Sequence, residues 1–249
     1  MKLDDIKKLS QKKYREQFGH FLVEGEHLAL ELQRAADANP ALLNSALYVT
    51  EAFLQKQGGE WRSPFATHIV SERQLAQLAD TKTPQGIVAV VPVAALANPA
   101  GAAAAARAIY LHEVQDPGNL GTILRTLAWF GGFRCLLSPG SVDPFNPKVV
   151  RASMGAIFRV PLELDIDATA LRSRFARIAA LDMQGEALPS NTFADFDCYL
   201  FGNEARGVPR PLLTSLQAHP FTIAGSGAIE SLNLASVVNI CVYELSAKS

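Results

Sequence analysis

The second half of the chain alternates short apolar runs with loops and helical patterns, and this alternation restricts the fold more than any other feature. The runs "AIYLHEV", "RCLLSP", "RIAALD", "CYLFG" and "PFTIA", between residues 108 and 224, are each followed by a loop and usually by a helical stretch. Apolar strands joined by crossovers of that kind predict a mostly parallel sheet covered on both faces. Ligands of such sheets sit beyond the carboxyl ends of the strands. The loops after Val114, Phe201 and Ala224 are therefore the places to look.

The rest of the chain sets the boundaries. Of its 249 residues 49% are hydrophobic, enough for one large α/β domain or two modest ones. The small-residue stretch "AALANPAGAAAAAR" reads as a linker over residues 94–107, separating a unit at 1–93 from a second at 108–249. In the first unit "FLVEGEHLALELQRAA" reads as a strand running into an amphipathic helix, and "ALYVT", "THIVS" and "GIVAVVPV" as further strands. The three cysteines are isolated among apolar neighbours and the five histidines have no ligand spacing, so no disulfide framework and no metal site are expected. No apolar run is long enough for a membrane span, and no signal peptide is visible, which predicts a cytoplasmic protein.

Net charge is −1, so no global basic field advertises a polyanionic partner. The first twenty residues nevertheless carry six Lys/Arg against three Asp/Glu. Lys7, Lys8, Lys12, Lys13 and Arg15 are candidates for phosphate contacts; a solvated helix face accounts for them equally well.

Three loops carry unusual chemistry. In "EVQDPGNLGTILRTLAWFGG" an apolar run stops at Asp-Pro-Gly-Asn and a helix begins, an arrangement suited to anions. It is neither GxGxxG nor GxxxxGK[ST], which argues against a dinucleotide or P-loop enzyme. In "LFGNEARGVPRPLL" Gly202 and Gly207 bracket a carboxylate and an arginine, although an exposed turn would look the same. In "IAGSGAIESLNLASVVNICVYEL" Ser231 or Asn233 stands where a long apolar helix begins, the position of an ordinary N-cap.

Together and in this order, "DPGNLGTILRT", "FGNEARGV" and "ESLNLASVVNICVYE" resemble the three motifs of the SpoU (TrmH) family of the SPOUT superfamily. "VDPFNPKVVRASMGAIFRVP" is similar to the family's segment after the second strand, and "KKYREQFGHFLVEGEHLALEL" and "TKTPQGIVAVV" to its N-terminal substrate-binding domain. The resemblance covers nearly the whole chain. It implies an α/β fold: a C-terminal, mostly parallel sheet with a deep trefoil knot, preceded by a small ribosomal-protein-like RNA-binding domain. It also implies a homodimer joined through the knotted domain.

The implied activity is methyl transfer from S-adenosylmethionine to a ribose 2′-hydroxyl of RNA, ribosomal RNA being favoured. Transfer RNA as the substrate, or a non-catalytic assembly factor with the same fold, are the alternatives. By position, the resemblance assigns Gly202, Ile223 and Leu232 to adenosylmethionine, with Gly202 expected to leave room for a flat adenine. It assigns Asn119, Arg125, Glu204, Ser231 and Asn233 to the catalytic constellation. A guanidinium keeps its proton, so Arg125 is expected to clamp phosphate and to stabilise charge developing on O2′.

Overall fold

The computed structural model describes residues 1–58, 61–96 and 107–247, so most of the expected linker, residues 94–107, lies outside the described residues. The chain divides into two units. One takes Met1–Ala100 together with Asp143–Arg159, and the other Gly101–Val142 together with Val160–Ser249.

The first unit runs α1 (Leu3–Ile6), α2 (Lys12–Phe18), β1 (His20–Glu24), α3 (Glu26–Ala36), β2 (Ala46–Val49), α4 (Glu51–Lys56), β3 (Ala66–Ile69), α5 (Glu72–Leu78) and β4 (Ile87–Pro92). Its sheet has the order β1-β4-β2-β3, antiparallel except between β2 and β3. The four strands and the helix read from the sequence are all present. α3 buries Leu28, Ala29, Leu32, Ala35 and Ala36, one apolar stripe at helical spacing, against β1 and β4. α5 starts at a reciprocal cap between Ser71 and Gln74, and its Leu75 and Leu78 join Ile6, Leu9, Leu22, Tyr48, Val88 and Val90 in the core.

The second unit opens with β5 (Arg107–Leu111), α6 (Pro117–Phe130) and β6 (Phe133–Leu137). After α7 (Pro147–Ser153), which belongs to the first unit, come β7 (Leu162–Glu163), α8 (Leu171–Arg174), β8 (Ile178–Leu188), β9 (Cys198–Phe201), α9 (Arg210–Leu216), β10 (His219–Ile223) and α10 (Leu234–Ser246). The six strands lie in the order β10-β8-β9-β5-β6-β7, every neighbouring pair parallel. The five apolar runs became β5, β6, β8, β9 and β10. β7 has only two residues and so no periodicity to read.

This order places the candidate loops. The chain builds outward from β5 through β6 to β7, then crosses to the other side of β5 for β8 and β9. The boundary between β5 and β9 is the switch point at which such sheets bind ligands. Leu111 lies opposite Phe201 there, and the His112 N–H donates to the Phe201 carbonyl at 2.8 Å, so the two loops leave the sheet side by side.

A division in chain order at the linker does not describe the first unit, because residues 143–159 pack within it. Arg15, 4% exposed, donates to Asp143 Oδ2 from Nε at 2.8 Å and from a terminal nitrogen at 2.5 Å. The rings of Phe21 and Phe145 lie 5.0 Å apart. Arg151 pairs with Asp80 at 2.8 Å, and Arg159 with Glu31 at 3.1 Å. None of these pairings has a local sequence signal, since each joins residues remote in the chain.

Cys135, Cys198 and Cys241 are free and buried, and burial pushes the thiols of Cys135 and Cys198 up to about 12. Among the described residues no helix is long and apolar enough to cross a membrane.

Candidate active site

The site is built where β5 ends. Glu113 adopts a left-handed backbone (φ 52°), which costs a residue with a Cβ free energy unless its surroundings hold it there. They do. Its N–H donates to Ser138 Oγ at 2.7 Å, its carbonyl accepts from Asn203 Nδ2 at 2.8 Å and Gln115 Nε2 at 3.0 Å, and its carboxylate pairs with Arg206 at 2.5 Å. Three residues on, Asp116 caps α6 by accepting from the Asn119 N–H at 2.8 Å, with Pro117 in the first helical position.

Glu204, from the loop after β9, closes over this turn. Its carboxylate accepts from the backbone N–H groups of Gln115 and Asp116, each at 3.1 Å, and from Asn119 Nδ2 at 3.2 Å. Burial alone would raise its pKa. The hydrogen bonds from Asp116, its own backbone, Asn119 and Gln115 outweigh burial and hold the carboxyl below its ordinary range. An ionised carboxylate occupied in this way is a poor proton acceptor near neutrality. It fixes the loop and orients the Asn119 amide.

The third loop reaches the same amide from the other side. Asn233 Nδ2 donates to Asn119 Oδ1 at 2.9 Å, while Asn233 Oδ1 caps α10 by accepting from the Ala235 and Ser236 N–H groups at 2.9 and 3.4 Å. Asn119, 9% exposed, is therefore gripped at both ends of its amide. α6 and α10 also meet through a bond from Thr126 to the Asn239 side chain and through the rings of Phe130 and Tyr243.

Of the residues assigned to catalysis, the structure brings together Asn119, Glu204 and Asn233. Asn233, not Ser231, is the N-cap of α10. Ser231 is exposed and makes no hydrogen bond among the described residues. Arg125 is exposed on α6 and likewise has no partner there, leaving its fork open to a ligand. The motif reading missed Glu113, Gln115 and Asn203. Their bonds reach backbone and side-chain groups of loops remote in the chain, which no spacing reveals.

The residues assigned to the methyl donor lie around the second and third loops. The fold itself requires Gly202: a Cβ there would stand 2.1 Å from the carbonyl carbon of Gly207 and 2.4 Å from the Val208 nitrogen. The loop folds back on Gly202, closed by paired backbone bonds between Asn203 and Gly207 at 3.2 and 2.9 Å. Ile223 is half-buried at the end of β10, and Ile229 and Leu232 are exposed, at 72% and 45%. No backbone–backbone hydrogen bond engages residues 224–232 among the described residues. Free main-chain groups beside uncovered aliphatic side chains suit a nucleoside, whose ring edges need hydrogen bonds and whose faces need apolar cover.

The basic N-terminal residues divide. Lys7 pairs with Asp4 and Lys8 with Asp5, both at 3.0 Å, and Lys12 with Glu16 at 3.6 Å, on the surface. Arg15 does not belong with them. Four of its N–H groups are used inside the unit, two on Asp143 and one each on the carbonyls of Leu9 and Ser10 at 2.7 and 2.8 Å, so it is a buried anchor unavailable to phosphate.

Comparison with known proteins agrees with this layout. Residues 106–243 match the model of the SpoU rRNA methylase family, and residues 2–89 that of the MRM3-like substrate binding domain. A 23S rRNA (guanosine(2553)-2′-O)-methyltransferase of Bacillus subtilis, RlmP, is 32% identical over 98% of this chain and 95% of its own length. The mitochondrial rRNA methyltransferase 3 of Mus musculus is 33% identical over 62% of this chain and 37% of its own. Among solved structures, an RNA methyltransferase described as of the TrmH family, from Porphyromonas gingivalis, superposes with a TM-score of 0.79 at 28% identity, covering 99% of this chain and 97% of that one. AviRb of Streptomyces viridochromogenes, a SpoU methyltransferase, shares the fold with a TM-score of 0.76 at 20% identity, covering 99% and 97%. With its motifs, its parallel sheet and a match spanning more than half its length, the chain belongs to the SpoU rRNA methylase family and is an RNA methyltransferase.

Proposed function

We propose that this chain transfers a methyl group from S-adenosylmethionine to a ribose 2′-hydroxyl of large-subunit ribosomal RNA. The observation that carries the reading is the amide of Asn119, held by Glu204 on one side and Asn233 on the other, at the switch point of the sheet. Family membership supplies the chemistry, and the ribose assignment and the ribosomal substrate follow the activity for which the Bacillus subtilis relative is named.

The donor, when bound, supplies a methyl group on an electron-poor sulfonium. The main chain of Gly202 and of the segment from Ile223 to Leu232 holds its nucleoside. The chain's other task is to orient the ribose and help its hydroxyl lose a proton. Arg125, always charged, clamps the neighbouring phosphate and stabilises negative charge growing on O2′. Glu204 acts through Asn119, as a positioning residue. Ser231 is exposed where α10 begins and contacts the substrate directly. Lys7, Lys8, Lys12 and Lys13 of the first unit hold RNA backbone.

The working form is a homodimer in the cytoplasm, and the last segments thread through a loop to form the knot. Support for the dimer comes from α6 and α10, whose outer faces leave Trp129, Ile240 and Tyr243 exposed at 84%, 42% and 63%. A second copy of the same patch covers them.

The test is transfer of labelled methyl from adenosylmethionine to unmodified ribosomal and transfer RNA, followed by complete alkaline hydrolysis. Alkali needs a free 2′-hydroxyl, so label in resistant dinucleotides from ribosomal RNA is the expected result. Label in mononucleotides means base methylation and overturns the reading. Label in transfer RNA alone moves the substrate. No label from a chain that binds neither donor nor product leaves the assembly-factor reading.

A further inference from the structure

We infer that Tyr14 is a stacking platform for an unpaired RNA base. The inference rests on the reading of this chain as an RNA enzyme and adds a residue and a substrate feature to it.

Tyr14 lies on α2 with its ring partly exposed. Its neighbour Phe18, parallel to it at a centroid distance of 6.1 Å, packs on the core cluster of Ile6, Leu9 and Leu22; Tyr14 is not among the residues that do so. Its hydroxyl has no hydrogen-bond partner among the described residues, so the ring has the neighbouring Phe18 but no bond to hold it and no place in that core cluster. Two cations attend it instead: Lys8 Nζ lies 5.7 Å and Lys13 Nζ 5.8 Å from the ring centroid. An aromatic face flanked by lysines is how sequence-tolerant single-strand sites are made, the ring taking a base and the ammonium groups the adjacent phosphates.

The platform is also held rigidly. Arg15, the next residue, bolts α2 to Asp143 and to the carbonyls of Leu9 and Ser10, and Gly19 ends the helix in a left-handed turn (φ 64°). In RNA the bases free to stack on an aromatic side chain are those splayed out of single-stranded loops, bulges and ends. The ligand is thus an unstacked base of the RNA, with its flanking phosphates.

The experiment measures binding of the full-length chain to a fluorescent single-stranded oligouridine over a range of salt, for the unsubstituted protein and for Tyr14→Phe, Tyr14→Leu and Lys13→Ala. Stacking predicts that Tyr14→Phe keeps the affinity, while Tyr14→Leu, which keeps apolar bulk but loses the π face, weakens it by about tenfold with an unchanged salt slope. Lys13→Ala flattens the slope by about one ion. Unchanged affinity in Tyr14→Leu overturns the proposal, and so does a loss with a flattened slope, which makes the ring only an organiser of lysines. Absence of oligouridine binding by the unsubstituted chain overturns it too. Methyl transfer to ribosomal RNA by that chain reports separately on the ribose-methylation reading.

Discussion

The side chain of Asn233 does two jobs with its two ends: Oδ1 caps α10, and Nδ2 donates to Asn119 Oδ1 at 2.9 Å. The jobs separate by substitution. Asn233→Asp keeps the cap and loses the donor, setting a carboxylate against the Asn119 oxygen. Thermal stability is expected near that of the parent and methyl transfer at least tenfold lower. Asn233→Ala loses both, and costs about 1 kcal/mol of stability as well. Thermal melts and turnover measured together check the separation.

Glu204 makes the site sensitive to acid. Its folded pKa lies below the ordinary 4.5, so the carboxylate contributes stability that is present above that value and is lost as pH falls through the lowered one. Glu204→Gln removes this dependence. The difference in melting temperature between parent and variant is expected to be largest near neutrality and to shrink below pH 4.5. A base role for Glu204 would instead give a rising limb in the pH–rate profile near neutrality that the glutamine variant abolishes.

Arg125 has no partner to satisfy within the described residues, so its replacement leaves the fold alone. Arg125→Lys is expected to melt like the parent and to lose most turnover, because a point charge does not reproduce the planar fork. Turnover near that of the parent would count against the clamp.

Arg15 behaves in the opposite way. Arg15→Met strands Asp143, 11% exposed, and is expected to cost about 3–5 kcal/mol of stability in the first unit, read by urea unfolding. Double replacement with Asp143→Leu recovers most of the loss. At urea concentrations where both proteins are folded, the salt slope of RNA binding is unchanged, since Arg15 faces no solvent.

What was legible in the sequence is what repeats or sits at fixed spacing. Every strand but β7 announced itself through an apolar run; Asp116 and Asn233 stand where helices start after loops, and Asn119 came with the resemblance of the motifs. What stayed hidden depends on partners far away in the chain. Lys13 and Arg15 stand two residues apart in one basic run, yet one lies on the surface and the other inside; Asp143, remote in sequence, is the counter-ion that the run does not reveal. A second reason for Gly202 stayed hidden, because the neighbour that a Cβ would strike is the backbone of Gly207, five residues on. Glu113 has an ordinary composition around it and an unusual conformation, and conformation of that kind is imposed by Ser138 and Asn203.

Asp143–Arg159 belongs to the first unit, and this has a consequence for how the protein is made. Arg15 and Asp143 are 128 residues apart, so on a ribosome adding 5–20 residues per second the arginine waits on the order of ten seconds for its counter-ion. The amino-terminal unit is thus completed only after β5, α6 and β6 have been synthesised. A fragment ending at the linker would carry a buried guanidinium with nothing to neutralise it. Exchange of that unit between relatives has to carry the later segment along.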